Sequence, residues 1–79
     1  MQIENAFNET DLKIARAIAE LGAASETEIQ SRTLTGLASL REEIGKMEKL
    51  GYIRRRRTAF TSGYEDALEL TEQGYRKIR

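Results

Sequence analysis

The sequence predicts an α+β fold, mainly helical, and three observations carry that prediction. Apolar residues recur at three- and four-residue spacing in two stretches that stop at Gly22 and Gly51. Asn8 and Ser25 precede acidic first turns, as helix N-caps do. Beyond Gly51 the hydrophobic period drops toward two, as in strands.

In chain order, residues 1–8 form an N-terminal arm. The first helix spans 9–21, with Asn8 as N-cap and Glu9 and Asp11 where the helix macrodipole favours acids. Leu12, Ile14, Ala15, Ala17, Ile18, Ala19 and Leu21 cover a wider arc than one surface-facing helix needs. Either this helix is central to the domain, or one of its flanks meets a second subunit. Gly22-Ala23-Ala24 leaves room for a turn or a minimal strand. Ser25-Glu26-Thr27-Glu28 matches the capping box and opens a short helix over 25–32. After the tight Thr33-Leu34-Thr35-Gly36 connection comes the third helix, 36–50, with an apolar stripe of Leu37, Leu40, Ile44, Met47 and Leu50. Gly51 is placed as a helix-ending C′ glycine. A β-hairpin spans 52–71, with turn chemistry over Thr61 to Asp66 and with Leu68 and Leu70 facing the core. Thr71 and Glu72 open a last short helix over 72–79. The expected order is helix, short strand, helix, helix, hairpin, helix, and no internal repeat or second domain is evident.

Composition excludes several classes of function. The 79 residues are 39% apolar and 33% charged, which describes a folded domain rather than a disordered chain. The chain contains no cysteine and no histidine, so the thiolate nucleophile, the usual neutral-pH base and the usual zinc ligands are all missing. The acid pairs Glu42/Glu43 and Glu65/Asp66 fall on expected exposed surfaces without a third ligand. No enzymatic activity, metal, cofactor or small-molecule ligand is therefore expected. No apolar run approaches the roughly 20 residues that span a bilayer, and the start lacks signal-peptide regions. These features point to the cytoplasm.

Formal net charge is zero, but the charge is unevenly spread. Residues 1–31 carry a net −4, and residues 32–62 a net +5 that includes the uninterrupted run Arg54-Arg55-Arg56-Arg57. Such a run points to a polyanion.

Two motifs sharpen the reading. Met47-Glu48-Lys49-Leu50-Gly51-Tyr52-Ile53-Arg54-Arg55 is similar to the "LExxGhhxR" ending of the recognition helix in MarR-like and related bacterial and archaeal transcription regulators. Leu68-Glu69-Leu70-Thr71-Glu72-Gln73-Gly74-Tyr75 looks like the "LTxxG" step from their second wing strand into the next helix. With the helical pattern, the resemblance covers residues 9 to 79. It implies a winged helix-turn-helix fold, with the third helix in a DNA major groove and the hairpin, the wing, along the backbone or the adjacent minor groove.

The residues of that surface can be weighed one by one. Opposite its leucine stripe the third helix holds Ala38, Ser39, Arg41, Glu42, Gly45, Lys46 and Lys49. Arg41 has the planar fork that pairs with guanine, Ser39 suits bases or phosphate, and Lys46 and Lys49 add positive charge. Gly45 fits close approach to DNA, packing against protein, or simple tolerance. Glu42 and Glu43 oppose phosphate, although a carboxylate can accept from cytosine, and Glu42 is spaced to pair with Lys46 one turn on. In the wing, strand alternation sends Arg54 and Arg56 to one face and Arg55 and Arg57 to the other. With Ile53 inward, Arg55 needs strand twist to return to water. Two or three of the four should meet phosphate, helped by Thr58, Thr61 or Ser62. The alternative role for them is protection of an edge strand. Tyr52 and Tyr75 are expected in the core or an interface; Tyr64, in the turn, is open.

The expected partner is double-stranded DNA. The alternatives are a winged helix used for protein assembly, with the arginines meeting an acidic partner, and a role on RNA or single strands. Regulators of this type commonly form homodimers. Here a dimer would have to use the apolar arc of the first helix, Ile3 and Phe7, or the surface around Tyr75 and Ile78.

Overall fold

The computed structural model describes residues 7–60 and 63–79, with side chains described outside 58–65. The elements are α1 (Glu9–Leu21), α2 (Glu26–Thr33), α3 (Leu37–Lys49), β1 (Ile53–Phe60), β2 (Gly63–Leu70) and α4 (Glu72–Lys77). Ile3, Thr61 and Ser62 lie outside the described residues, and so do the side chains of Thr58 and Tyr64.

Local chemistry sets the helix ends. Asn8 Oδ1 accepts from the Asp11 amide at 2.9 Å and the Asp11 carboxylate accepts from the Asn8 amide at 3.0 Å, a full capping box. Ser25 and Glu28 form a second one at the start of α2. The end of α3 is a Schellman motif. The Tyr52 amide donates to the Met47 carbonyl at 2.9 Å and the Gly51 amide to Glu48 at 3.1 Å, with Gly51 at φ +86°.

α1 packs against α2, α3, β2 and α4. Of the two explanations for its wide apolar arc, centrality is therefore sufficient. Ile14, Ile18, Ile29, Leu40, Ile44, Met47, Ile53, Leu68 and Leu70 form one buried cluster. Phe7, Tyr52, Tyr75 and Ile78 pack around it, with Phe7 and Tyr52 edge to face at 5.5 Å. The minimal strand between the first two helices is a single bridge, in which Ala24 and Leu68 exchange amide hydrogen bonds of 3.0 and 2.8 Å. It pins the wing's second strand to the helical layer.

Two expectations fail here. Gly63 to Asp66 do not form a turn but pair with Phe60 to Arg57 in the antiparallel ladder, because cross-strand pairing overrides local turn propensity. The apolar stripe of α3 is also narrower than its sequence suggests. Leu40, Ile44 and Met47 are buried, whereas Leu37 and Leu50, at the helix ends, are exposed beyond the reach of the core.

The two sequence motifs meet in space. Thr71 Oγ1 donates to the Gly51 carbonyl at 2.6 Å and accepts from the Gly74 amide at 3.1 Å, and the Thr71 amide donates to the Tyr52 carbonyl at 3.0 Å. A Cβ at Gly74 would collide with the Tyr52 carbonyl oxygen. The glycine of the second motif is thus a contact point for the backbone of the first.

Candidate nucleic-acid interface

The wing's arginines divide by face, as a pleated strand requires. Arg54 and Arg56 share one carboxylate: Arg54 Nε lies 3.0 Å from Glu69 Oε1 and Arg56 Nη2 lies 2.8 Å from Glu69 Oε2. Both remain well exposed, at 68% and 62%. Exposed ion pairs of this sort contribute little to stability, so both arginines can exchange Glu69 for another anion at small cost.

Arg55 reaches water, as expected, but it is also held between two elements. Its Nε and Nη2 donate to the two Glu48 oxygens at 3.2 and 3.0 Å, and its Nη1 donates to Asp66 at 3.3 Å. The Glu48 carboxylate first, then Asp66, raise the guanidinium pKa above its ordinary value against the opposing effect of burial. A bidentate pair of this geometry fixes orientation, and here it locks the wing to α3. Arg57 is exposed and stands opposite Asp66 in the ladder.

On α3, Ser39 and Lys49 are exposed. Arg41 is 62% exposed, and its Nε donates to Glu26 of α2 at 3.1 Å. Lys46 is turned inward. Its Nζ lies 2.8 Å from Asp11 Oδ2 and 2.8 Å from Glu43 Oε1. The expected Glu42 to Lys46 pair is replaced by this one, because position 43 rather than 42 faces α1; Glu42 stays in solvent. Glu43 is correspondingly half-buried, not on the exposed surface that the acid pair suggested. A Cβ at Gly45 would meet nothing within 4 Å. Packing within the chain therefore does not explain this glycine, which leaves contact with an external partner or tolerance.

Asp11 and Glu43 form a cluster invisible in the sequence. Asp11 is completely buried, and its Oδ1 and Glu43 Oε1 have no aligned hydrogen-bond donor. Only the protonated form of Glu43 can supply a donor to Asp11 Oδ1. Burial alone would raise the Asp11 carboxyl, but hydrogen bonds from Glu43, Lys46 and the Asn8 amide outweigh it and hold Asp11 below its ordinary range. The hydrogen bond to Asp11 pushes Glu43 up, and Lys46 is raised by both carboxylates, Asp11 foremost. Thirty-five residues separate Asp11 from Lys46, so no periodicity or spacing signals the contact.

Three helices with a strand bridge between the first two, an arginine-bearing hairpin and a closing helix define a winged helix-turn-helix domain. The comparisons agree. A PadR family transcription regulator from hypervirulent Clostridium difficile R20291 superposes with TM-score 0.82 at 15% identity, over 90% of this chain and 80% of that one. A MarR family protein from Bacillus stearothermophilus gives 0.80 at 18% identity, over 94% and 50% of the two chains. Bacillus subtilis PadR in complex with operator DNA gives 0.78 at 18% identity, over 92% and 46%. This chain spans about half the length of the MarR family structures it matches. No protein-family model matches the sequence, and no match was found among curated proteins. Among the described residues no helix is long and apolar enough to cross a membrane, and no metal-binding group of His, Cys, Asp or Glu is gathered.

Proposed function

We propose that the domain binds double-stranded DNA as the DNA-binding unit of a transcription regulator, with α3 in the major groove and the wing on the phosphate backbone. The observation that carries this reading is the clamp of Arg55 by Glu48 and Asp66. It holds the exposed Arg54, Arg56 and Arg57 at a fixed position beside α3, whose exposed polar residues include Ser39, Arg41 and Lys49. A rigid cationic edge next to an exposed helix suits a surface that must follow a backbone and a groove together. The neighbours of the same fold support it, one of them having been solved with operator DNA. The function is binding rather than catalysis. A homodimer presenting two such units would double the footprint.

Fluorescence anisotropy with a random-sequence duplex tests the proposal. If Arg41, Lys49, Arg54, Arg56 and Arg57 each neutralise one phosphate, log affinity falls against log salt with a slope of roughly −4 to −5. The triple substitution Arg54, Arg56 and Arg57→Ala should reduce that slope by about 3. No binding at low salt would sink the reading. It would favour the second one, a protein-assembly module, which the neutralisation of Arg54 and Arg56 by Glu69 and the solvent exposure of Glu42 support.

A further inference from the structure

Of the polar side chains on α3, Lys46 is committed to Asp11 and Glu43, and Arg41, although exposed, is engaged by Glu26. Between α2 and α3 two leucines stand outside the buried core: Leu34, the C-cap of α2, is 87% exposed, and Leu37, the first residue of α3, is partly covered and 37% exposed. Leu34 is also the one non-glycine residue with positive φ among the described residues, at φ +57° and ψ +32°, where its amide closes α2 by donating a hydrogen bond to the Gln30 carbonyl. Glycine or asparagine makes that left-handed turn more readily. A leucine there serves neither the turn nor the core.

From these observations, together with the DNA-binding reading on which the inference rests, we infer that Leu34 and Leu37 read thymine. Their side chains pack on thymine C5-methyl groups in the major groove, so apolar contact contributes to the choice of site. The thymine methyl is the apolar mark of the major groove and distinguishes T·A from the other pairs there. The surroundings favour DNA over an apolar protein partner. From Ile29 to Leu40 the only charged residue is Arg32, so no carboxylate on this stretch opposes a phosphate track. Thr27, Gln30, Ser31 and Thr35 border the open cleft beside Leu34, offering neutral donors that suit phosphate oxygens.

Deoxyuridine provides the test, because it keeps the hydrogen-bonding pattern of thymidine and lacks the methyl. Duplexes selected by the protein from a random pool are resynthesised with deoxyuridine at each thymidine in turn. Affinity is expected to fall about fourfold for each contacted methyl, the transfer cost of one buried carbon. Leu34→Gly and Leu37→Ser should abolish that difference while leaving the far-UV circular dichroism and the salt slope of random-duplex binding unchanged, since neither residue carries charge. Neither side chain belongs to the buried cluster, and urea midpoints of the two variants separate a lost contact from a lost fold. Equal affinity for both duplexes, or a thymidine preference that survives both substitutions, overturns the inference, as does failure to enrich any sequence. If random-duplex binding itself is absent, the DNA-binding reading fails as well. Salt-sensitive random binding without a methyl effect leaves that reading standing and removes only the role of the leucines.

Discussion

Lys46 Nζ lies 2.8 Å from Asp11 Oδ2, so α3, the helix proposed to enter the groove, is tied to a completely buried carboxylate on α1. Removing the cation would strand that charge. Breaking a buried pair from one side costs about 3–5 kcal/mol, but Lys46 is 38% exposed and water can reach its side of the bond. Lys46→Met should therefore lower stability by about 1–3 kcal/mol in urea unfolding. Asp11→Asn combined with it should recover much of the loss, since no charge is then stranded. Among the residues expected on DNA, Lys46 is the one whose substitution should affect folding more than binding. An unchanged urea midpoint in Lys46→Met would contradict this.

The same cluster gives opposite pH signatures for its two acids. Asp11 is depressed below its ordinary 3.8, so its contribution is present above that value and is lost as pH falls through the lower folded value. Glu43 is raised above 4.5, so its favourable state is the protonated one, complete below 4.5 and lost as pH rises through the folded value. The ionised form of Glu43 is therefore the less favoured one in the folded protein. Glu43→Gln places a permanent donor beside Asp11 and should raise the melting temperature at pH 7, with a smaller gain near pH 4. A gain that grows on acidification would refute the assignment.

Much of the fold was legible because its signals are local. The Asn8 and Ser25 caps, the Gly51 terminus and the Leu68 and Leu70 alternation each depend on neighbours within a few residues, and the fold follows from their order. The site was less legible because its chemistry is tertiary. Strand parity separates Arg54 and Arg56 from Arg55, but it cannot show that Glu69 serves the first two and Glu48 the third. The Asp11 to Lys46 contact has no sequence signature, and Leu34 looks like an ordinary apolar loop residue until its backbone conformation is known.

Glu69 should act as a brake on DNA affinity. It faces both Arg54 and Arg56 and is itself only 14% exposed. If phosphate meets Arg54 and Arg56 as proposed, removing the negative charge of Glu69 beside it is worth a fraction of a kcal/mol up to about 1 kcal/mol in water. Glu69→Gln should accordingly tighten random-duplex binding about two- to fivefold at low salt, with the gain fading as ionic strength rises. Arg55→Ala should behave in the opposite sense, loosening the wing from α3 and lowering both stability and affinity. Weaker binding by Glu69→Gln would show that the carboxylate orders the arginines instead of competing for them.

Gly74 is constrained by sterics, not by its own backbone angles. Any side chain there would press on the Tyr52 carbonyl, which accepts the Thr71 amide. Backbone cannot retreat as a flexible side chain can, so Gly74→Ala should cost about 2 kcal/mol or more. Gly45→Ala, with open space around the new methyl, should instead stabilise α3 by up to about 1 kcal/mol. Comparable melting temperatures for the two variants would remove the distinction.

Leu34 gives the sharpest contrast in stability. Left-handed backbone costs a residue with a Cβ about 1–2 kcal/mol, and glycine avoids this while losing roughly 0.5–1 kcal/mol more in chain entropy on folding. With the side chain 87% exposed, there is little burial to lose. The balance leaves Leu34→Gly between neutral and about 1.5 kcal/mol more stable than the parent. Leu40→Ala, a few residues along in the core, should cost about 2–5 kcal/mol. Urea midpoints measured for both variants at constant m decide the matter. A destabilised Leu34→Gly would mean that the side chain has a structural role, and the case for a leucine placed there for an external surface would lose its physical basis.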